Sequence, residues 1–155
     1  MDGDSGVVRQ LVEQMGIGFE AFGMPRMAGR VLGWLILSEE EEVSLDDLAA
    51  GLGVSKASVS NATRLLIQMG IIRRSGRPGS RQAYFKVSSD PWNAMLAMEK
   101  RVSRSFLDFA REARAALPAR PERDARLAEM EGALELYIEL LETFAREWHE
   151  KRKAQ

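Results

Sequence analysis

Between Ser55 and Arg64 the chain sets out hydroxyls, an ammonium, a carboxamide and a guanidinium: Ser55, Lys56, Ser58, Ser60, Asn61 and Arg64. If this stretch is helical, Lys56, Ser58, Ser60, Asn61 and Arg64 share its outer face, continued by Gln68. Each of these groups has a partner on a nucleic acid. Asn61 can pair bidentately with an adenine edge and Arg64 can fork onto guanine, each good pair discriminating by about 1–3 kcal/mol. Ser55 and Ser58 can donate to phosphate beside the unpaired backbone N–H groups of a helix N-terminus, and Lys56 suits phosphate or a guanine edge. A second set follows, comprising Arg74, Arg77, Ser80 and Arg81. Arginines at a loop tip enter a minor groove or follow the sugar–phosphate backbone, reading width and charge more than sequence. Arg73 and Arg74 alternate along a β-prone stretch, so one of them is expected to face the duplex.

The charge distribution agrees with that chemistry. The 155 residues carry a formal net charge of −1, which by itself selects no partner. Yet no acidic residue lies between Asp47 and Asp90, and that interval holds Lys56, Arg64, Arg73, Arg74, Arg77, Arg81 and Lys86. A segment of +7 inside a chain whose remainder sums to −8 is the footprint of a polyanion-binding module. An apolar content of 45% fits a globular protein, and the length fits one domain or one domain with a helical extension. With no cysteine and the single histidine His149, thiol chemistry, Cys-based zinc sites and His-dependent triads drop out. No phosphate-cradling glycine motif or paired-carboxylate constellation is present, so neither an enzyme, a metal site nor a cofactor is expected. An acidic N-terminus and a longest apolar run of seven residues, Val31–Leu37, point to a cytoplasmic protein without membrane spans.

The elements that must position these groups can be read in order. Residues 6–22 place Val8, Leu11, Val12, Met15, Phe19 and Phe22 on one helical stripe, weakened by Gly16 and Gly18. Pro25 suits the first turn of a helix from Arg26 to about Leu37, where Gly29 and Gly33 permit close approach by a neighbour. The acidic run Glu39–Glu42 reads as a solvated loop turned away from any polyanion. Ser44 then opens a short helix as its cap, with Asp47 reaching back in a capping box, and Gly51 or Gly53 ends it. Ser55 caps the next helix, which runs to about Met69 with Val59, Ala62, Leu65, Leu66 and Met69 inward, and Gly70 closes it. Residues 71–74 and 84–87 are β-prone and flank an octet with two glycines and a proline, which reads as a hairpin with arginines near its tip. Two helices, a tight turn and a basic hairpin make a winged helix-turn-helix.

Beyond Pro91 two further helices are expected. The first carries Met95, Met98, Val102, Phe106, Phe109 and Ala113 and ends near Pro118. The second, after Pro121, spaces Leu127, Met130, Leu134, Tyr137, Leu141, Phe144 and Trp148 at intervals of three and four, widened by Ile138 and Ala145. A helix of about 30 residues spans roughly 45 Å, more than a chain this small covers alone. That stripe is therefore expected to bury against a second copy in a two-fold homodimer. The overall expectation is a mainly α fold with a small β-hairpin wing (α+β), in three regions. Residues 1–23 form an N-terminal dimerisation helix, 24–89 the DNA-binding winged helix and 90–155 a helical dimerisation region.

The stretches Met24–Gly33, Ser44–Ala49, Gly53–Ser60 and Pro78–Arg81 carry a resemblance as well. On these motifs residues 24–87 resemble the MarR superfamily of bacterial winged-helix transcription regulators, and more closely its GbsR-like branch. The resemblance implies a dimeric, repressor-type protein bound to double-stranded DNA, with affinity that responds to an unidentified small-molecule effector, such as choline in some GbsR-like members. One departure stands out: Gly79 and Ser80 occupy places where family members often carry an acidic residue that braces the wing arginine. Aromatic side chains such as Trp34, Trp92 and Trp148 could cage a quaternary ammonium, but their helical spacing assigns them to packing, and no effector-binding residue is named. A rival class is a winged-helix interaction module whose basic face binds an acidic protein. It leaves Asn61 and Arg64, side by side on the reading face, without a task.

Overall fold

The computed structural model describes residues 2–77 and 79–154, so Pro78, part of the hairpin loop and of the wing motif, lies outside the described residues. The elements are α1 (Asp2–Ala21), α2 (Arg26–Leu37), β1 (Val43–Ser44), α3 (Leu45–Leu52), α4 (Lys56–Gln68), β2 (Ile72–Ser75), β3 (Tyr84–Val87), α5 (Pro91–Ala116) and α6 (Pro121–Lys153). They form two compact units, Met1–Pro91 and Trp92–Gln155.

In the first unit, α1 and α2 pack with their backbones nearly touching. A Cβ placed on Gly29 would lie 2.5 Å from the carbonyl oxygen of Met15 and 2.8 Å from the Cα of Gly16, so only glycine admits this approach. Val12 is the buried anchor of α1, with Met15 and Phe19 half-buried beside it. Phe22 breaks the expected stripe: α1 stops at Ala21, and the phenyl ring beyond its end is 86% exposed. Pro25 stands at the N-cap of α2 instead of inside its first turn.

The core of this unit gathers Val31, Leu35, Leu48, Val59, Leu66 and Phe85 from four elements. Ser44 caps α3 as expected, its Oγ accepting the Asp47 N–H at 3.0 Å. The return half of the box differs, because the Asp47 carboxylate accepts from the Ser44 hydroxyl at 2.6 Å. Gly53 ends α3 at φ +65, the left-handed conformation that frees the last carbonyls for capping. Along α4, Val59, Ala62, Leu66 and Met69 are buried, but Thr63 takes the place expected for Leu65, which is only half-buried. Thr63 tolerates burial because its hydroxyl donates to the Ser60 carbonyl at 3.0 Å.

The hairpin is a three-stranded antiparallel sheet in the order β1-β3-β2. β1 had no separate sequence signal: Val43 and Ser44 pair with Phe85 and Tyr84. Glu39, Glu40 and Glu41 are exposed in a loop as expected, but the end of the run, Glu41 and Glu42, is tied to the edge of the wing.

In the second unit, α5 and α6 run antiparallel, laced by Arg114–Glu131 at 2.9 Å, Arg111–Glu135 at 2.7 Å and Arg104–Glu142 at 3.1 Å. Ser103, Leu107 and Ala110 of α5 and Ile138 of α6 are buried. The structure divides both expected stripes. On α5, Met95, Val102, Phe106 and Phe109 are exposed, and the buried row lies one position over. On α6, Leu127, Met130, Leu134, Leu141 and Trp148 are half-buried within the chain itself, whereas Tyr137 and Phe144 are exposed. The Tyr137 hydroxyl donates to Glu99 at 3.1 Å; partial burial, then this carboxylate, push its phenol above the usual tyrosine range.

Candidate nucleic-acid interface

α4 is opened by Ser55, whose Oγ accepts the Ser58 N–H at 3.2 Å and lies 2.9 Å from the Ser58 hydroxyl. The outer face then presents Lys56, Asn61, Arg64 and Gln68, all exposed, while Ser58 and Ser60 are half-buried on its flanks. This division follows from the apolar stripe: burying Val59, Ala62 and Leu66 turns positions 61, 64 and 68 outward. Asn61 Oδ1 accepts from Arg64 at 3.3 Å, so the carboxamide and guanidinium sit together with donors left over. Lys56 Nζ is 2.8 Å from Asp46 Oδ2, and Gln82 of the wing donates to the same oxygen at 3.5 Å. Asp46 thus lies between the reading helix and the wing.

The wing sorts its cations by environment. Arg73 pairs across the ladder with Lys86, and Arg74 with Phe85, so the two arginines stand on opposite faces of the sheet. Both are exposed, and the structure does not bring them together. Lys86, counted above among the basic groups, is only 17% exposed and lies 2.9 Å from Glu41 and 2.8 Å from Glu42. Hydrogen bonding to Glu42 holds the Lys86 ammonium above its usual range, and the same bond holds Glu42 below the usual carboxylate range. The acidic run expected to be solvated therefore contributes two carboxylates to the root of the wing. Arg77 stacks over the Tyr84 ring, 4.5 Å from its centroid, and donates to the Glu42 carbonyl at 3.2 Å.

Arg81 is exposed and makes no ion pair among the described residues. Ser80 sits in a turn, its N–H donating to the Arg77 carbonyl at 3.1 Å and its Oγ accepting the Gln82 N–H at 3.2 Å. Four contributors escaped the sequence reading: Glu42, Asp46, Gln82 and Tyr84. Tyr84 could have been flagged as an aromatic residue where a strand leaves an arginine-bearing loop. Glu42 had no local signal, since it lies 35 residues from Arg77. Among the described residues no cluster of three or more His, Cys, Asp or Glu side chains could hold a metal ion, and no helix is long and apolar enough to cross a membrane.

Comparison with known proteins places this geometry. The MarR family model matches residues 22–83, from the end of α1 into the wing loop. The chain is 37% identical over 131 residues to the HTH-type transcriptional regulator MmpR5 of Mycobacterium tuberculosis, covering 82% of this chain and 78% of that protein. The chain belongs to the MarR family. Its similarity to the HTH-type transcriptional repressor OpcR of Bacillus subtilis is 28% over 88 residues, 57% of this chain and 47% of that one. A crystal structure of a transcriptional regulator superposes with a TM-score of 0.82 at 33% identity, covering 92% of this chain and 98% of the other. This MarR-family chain is a DNA-binding transcriptional regulator built on a winged helix.

Proposed function

We propose that this regulator reads an inverted repeat as a homodimer, one α4 per half-site, with half-sites about 10 bp apart centre to centre. The observation that carries the reading is the outer face of α4, where Lys56, Asn61, Arg64 and Gln68 stand exposed with no carboxylate of their own helix among them. Asn61 and Arg64 read base edges in the major groove, Ser55, Lys56 and Ser58 take phosphate, and Ser60 lies at the edge of the contact. Arg77 and Arg81, with Ser80 and one of Arg73 and Arg74, follow the adjacent minor groove or backbone. Pairing of two copies is supported by the apolar side chains that α5 and α6 leave exposed, Phe106, Phe109, Leu136, Tyr137, Leu140 and Phe144. The other expected seam residues, Leu127, Met130, Leu134, Leu141 and Trp148, are half-buried and on this reading support that surface from beneath.

The resemblance carried by residues 24–33, 44–49, 53–60 and 78–81 supports the GbsR-like branch and, with it, a repressor whose affinity responds to a small molecule, and DNA as the partner supports a cytoplasmic location. Selection of bound duplexes from a random pool tests the reading directly. The expected consensus is palindromic, and Asn61→Ala should relax preference at one position per half-site while Arg81→Ala weakens specific and random duplex alike. A consensus without two-fold symmetry, or one unchanged by Asn61→Ala, refutes it. Thermal-shift screening of choline, betaine and aromatic acids tests ligand control: stabilisation by one supports it, and no response to any removes it.

A further inference from the structure

The root of the wing holds a second kind of determinant. We infer that Glu42 is a positioning residue for DNA binding: it fixes the Arg77 guanidinium in one direction, so that the first wing cation meets the duplex already ordered. The inference rests on the reading that Arg77 touches DNA.

Arg77 is held from three sides. Its terminal nitrogen donates to the Glu42 carbonyl at 3.2 Å, its Nε lies 3.6 Å from Glu42 Oε2, and its plane covers the Tyr84 ring at 4.5 Å. A guanidinium carries five N–H donors in a planar fork, so these contacts fix the plane and leave donors for phosphate. The side chain is still 48% exposed, which leaves the outer edge reachable.

A carboxylate beside a DNA-facing arginine would ordinarily repel phosphate. Here its charge is committed elsewhere. Glu42 Oε1 sits 2.8 Å from the Lys86 ammonium, closer than Arg77 comes, and the Glu42 side chain is only 20% exposed. Glu41 closes on the same ammonium from the other side at 2.9 Å. Lys86 is therefore the counter-charge that keeps Glu42 in place, and Arg77 keeps its own charge for the duplex. Arg81 has no such brace among the described residues and must be ordered during binding. Ordering a long side chain on association weakens binding by about three- to tenfold; the Glu42 carboxylate supplies part of that advantage to Arg77, and the main-chain carbonyl and the Tyr84 ring supply the rest.

The test is a set of binding titrations with a labelled random-sequence duplex at fixed salt, using the full chain and checking fold by circular dichroism. Glu42→Gln leaves the main-chain carbonyl bond and the Tyr84 stack in place and should weaken binding by about two- to threefold, although it removes a negative charge from a DNA-facing surface. Arg77→Ala should weaken the parent chain but cost markedly less in the Glu42→Gln background, while Arg81→Ala keeps its full cost there. Tighter binding by Glu42→Gln, or an unchanged Arg77→Ala factor in both backgrounds, overturns the inference. A reduced Arg81→Ala cost also overturns it, because Glu42 would then support the whole wing. If Glu42→Gln fails to fold, Tyr84→Leu removes the stacking floor and should lower the Arg77→Ala cost; an unchanged cost overturns the inference equally. A separate outcome, no effect of Arg77→Ala in the parent chain, brings down the reading that Arg77 touches DNA.

Discussion

Salt dependence counts the cations that reach phosphate, and here sequence and structure give different counts. Taken as sequence, the basic segment offers seven cations per chain. Two copies would then give a slope of log affinity against log salt of about −13, at roughly −0.9 per neutralised phosphate. The structure withdraws several of them. Lys86 is locked between Glu41 and Glu42 at 2.9 and 2.8 Å, Arg64 is given to base edges, and Arg73 and Arg74 point to opposite faces. What is left is Lys56, Arg77, Arg81 and one strand arginine per protomer, giving a slope of about −7 for a dimer. The Lys56–Asp46 pair is exposed and worth little, so Lys56 is released to phosphate at small cost, and counting Arg64 as well would steepen the slope only to about −9. Between 50 and 200 mM salt, a slope of −7 means an affinity loss of about 10⁴-fold, against nearly 10⁸-fold for −13. Fluorescence anisotropy with a random duplex, the stoichiometry fixed by sedimentation, separates the two. Arg81→Ala should flatten the slope by about 2 per dimer, and Lys86→Met should leave it unchanged. A slope steeper than about −11, or flattening by Lys86→Met equal to that by Arg81→Ala, refutes the reasoning that ion pairing at the wing root decides which cations count.

Three other outcomes follow from the geometry. Gly29→Ala should destabilise the chain by about 1–3 kcal/mol, because backbone atoms of Met15 and Gly16 stand where the methyl must go, whereas Gly18→Ala meets nothing within 4 Å and should stabilise by about 0.5–1 kcal/mol; melting temperatures at equal protein concentration that shift in the same direction would contradict this. The Glu42–Lys86 pair should act on stability at both ends of the pH scale. Glu42 titrates below its ordinary 4.5, so its contribution is complete above that pH and disappears as pH falls through the lower folded value. Lys86 titrates above its ordinary 10.5, so its contribution is complete below that pH and disappears as pH rises further. Urea midpoints of the parent and Glu42→Gln chains should therefore differ by a constant amount near neutrality and converge in acid, and a difference that does not shrink as the pH is lowered excludes the pair as its source. Finally, Phe144→Glu should halve the sedimentation mass and abolish tight binding to the inverted repeat, since a charge would be buried in the proposed subunit contact; a dimer that survives removes Phe144 from that contact.

The sequence determined the features that depend on near neighbours along the chain. Ser55 and Ser44 announce their helices because a hydroxyl three residues ahead of an N–H caps it in any context. Gly53 ends α3 because a left-handed residue is needed there and glycine alone adopts it without cost. The outward set Lys56, Asn61, Arg64 and Gln68 follows from helical periodicity once Val59, Ala62 and Leu66 are seen as apolar. Tertiary structure decided everything that joins distant segments. α5 and α6 each carry more apolar residues than one contact can cover, so periodicity reveals that stripes exist but not which row meets the sister helix. The packing chose Leu107, Ala110 and Ile138 for that row and left Phe106 and Phe144 outside. Likewise, two-residue β1 is too short to show a pattern, and only its pairing with Phe85 and Tyr84 brings Glu41 and Glu42 onto Lys86 and Arg77. Charge was countable along the chain, but its availability was settled by Coulombic pairing across 35 to 45 residues, which depends on where the fold places each carboxylate and not on its distance in sequence.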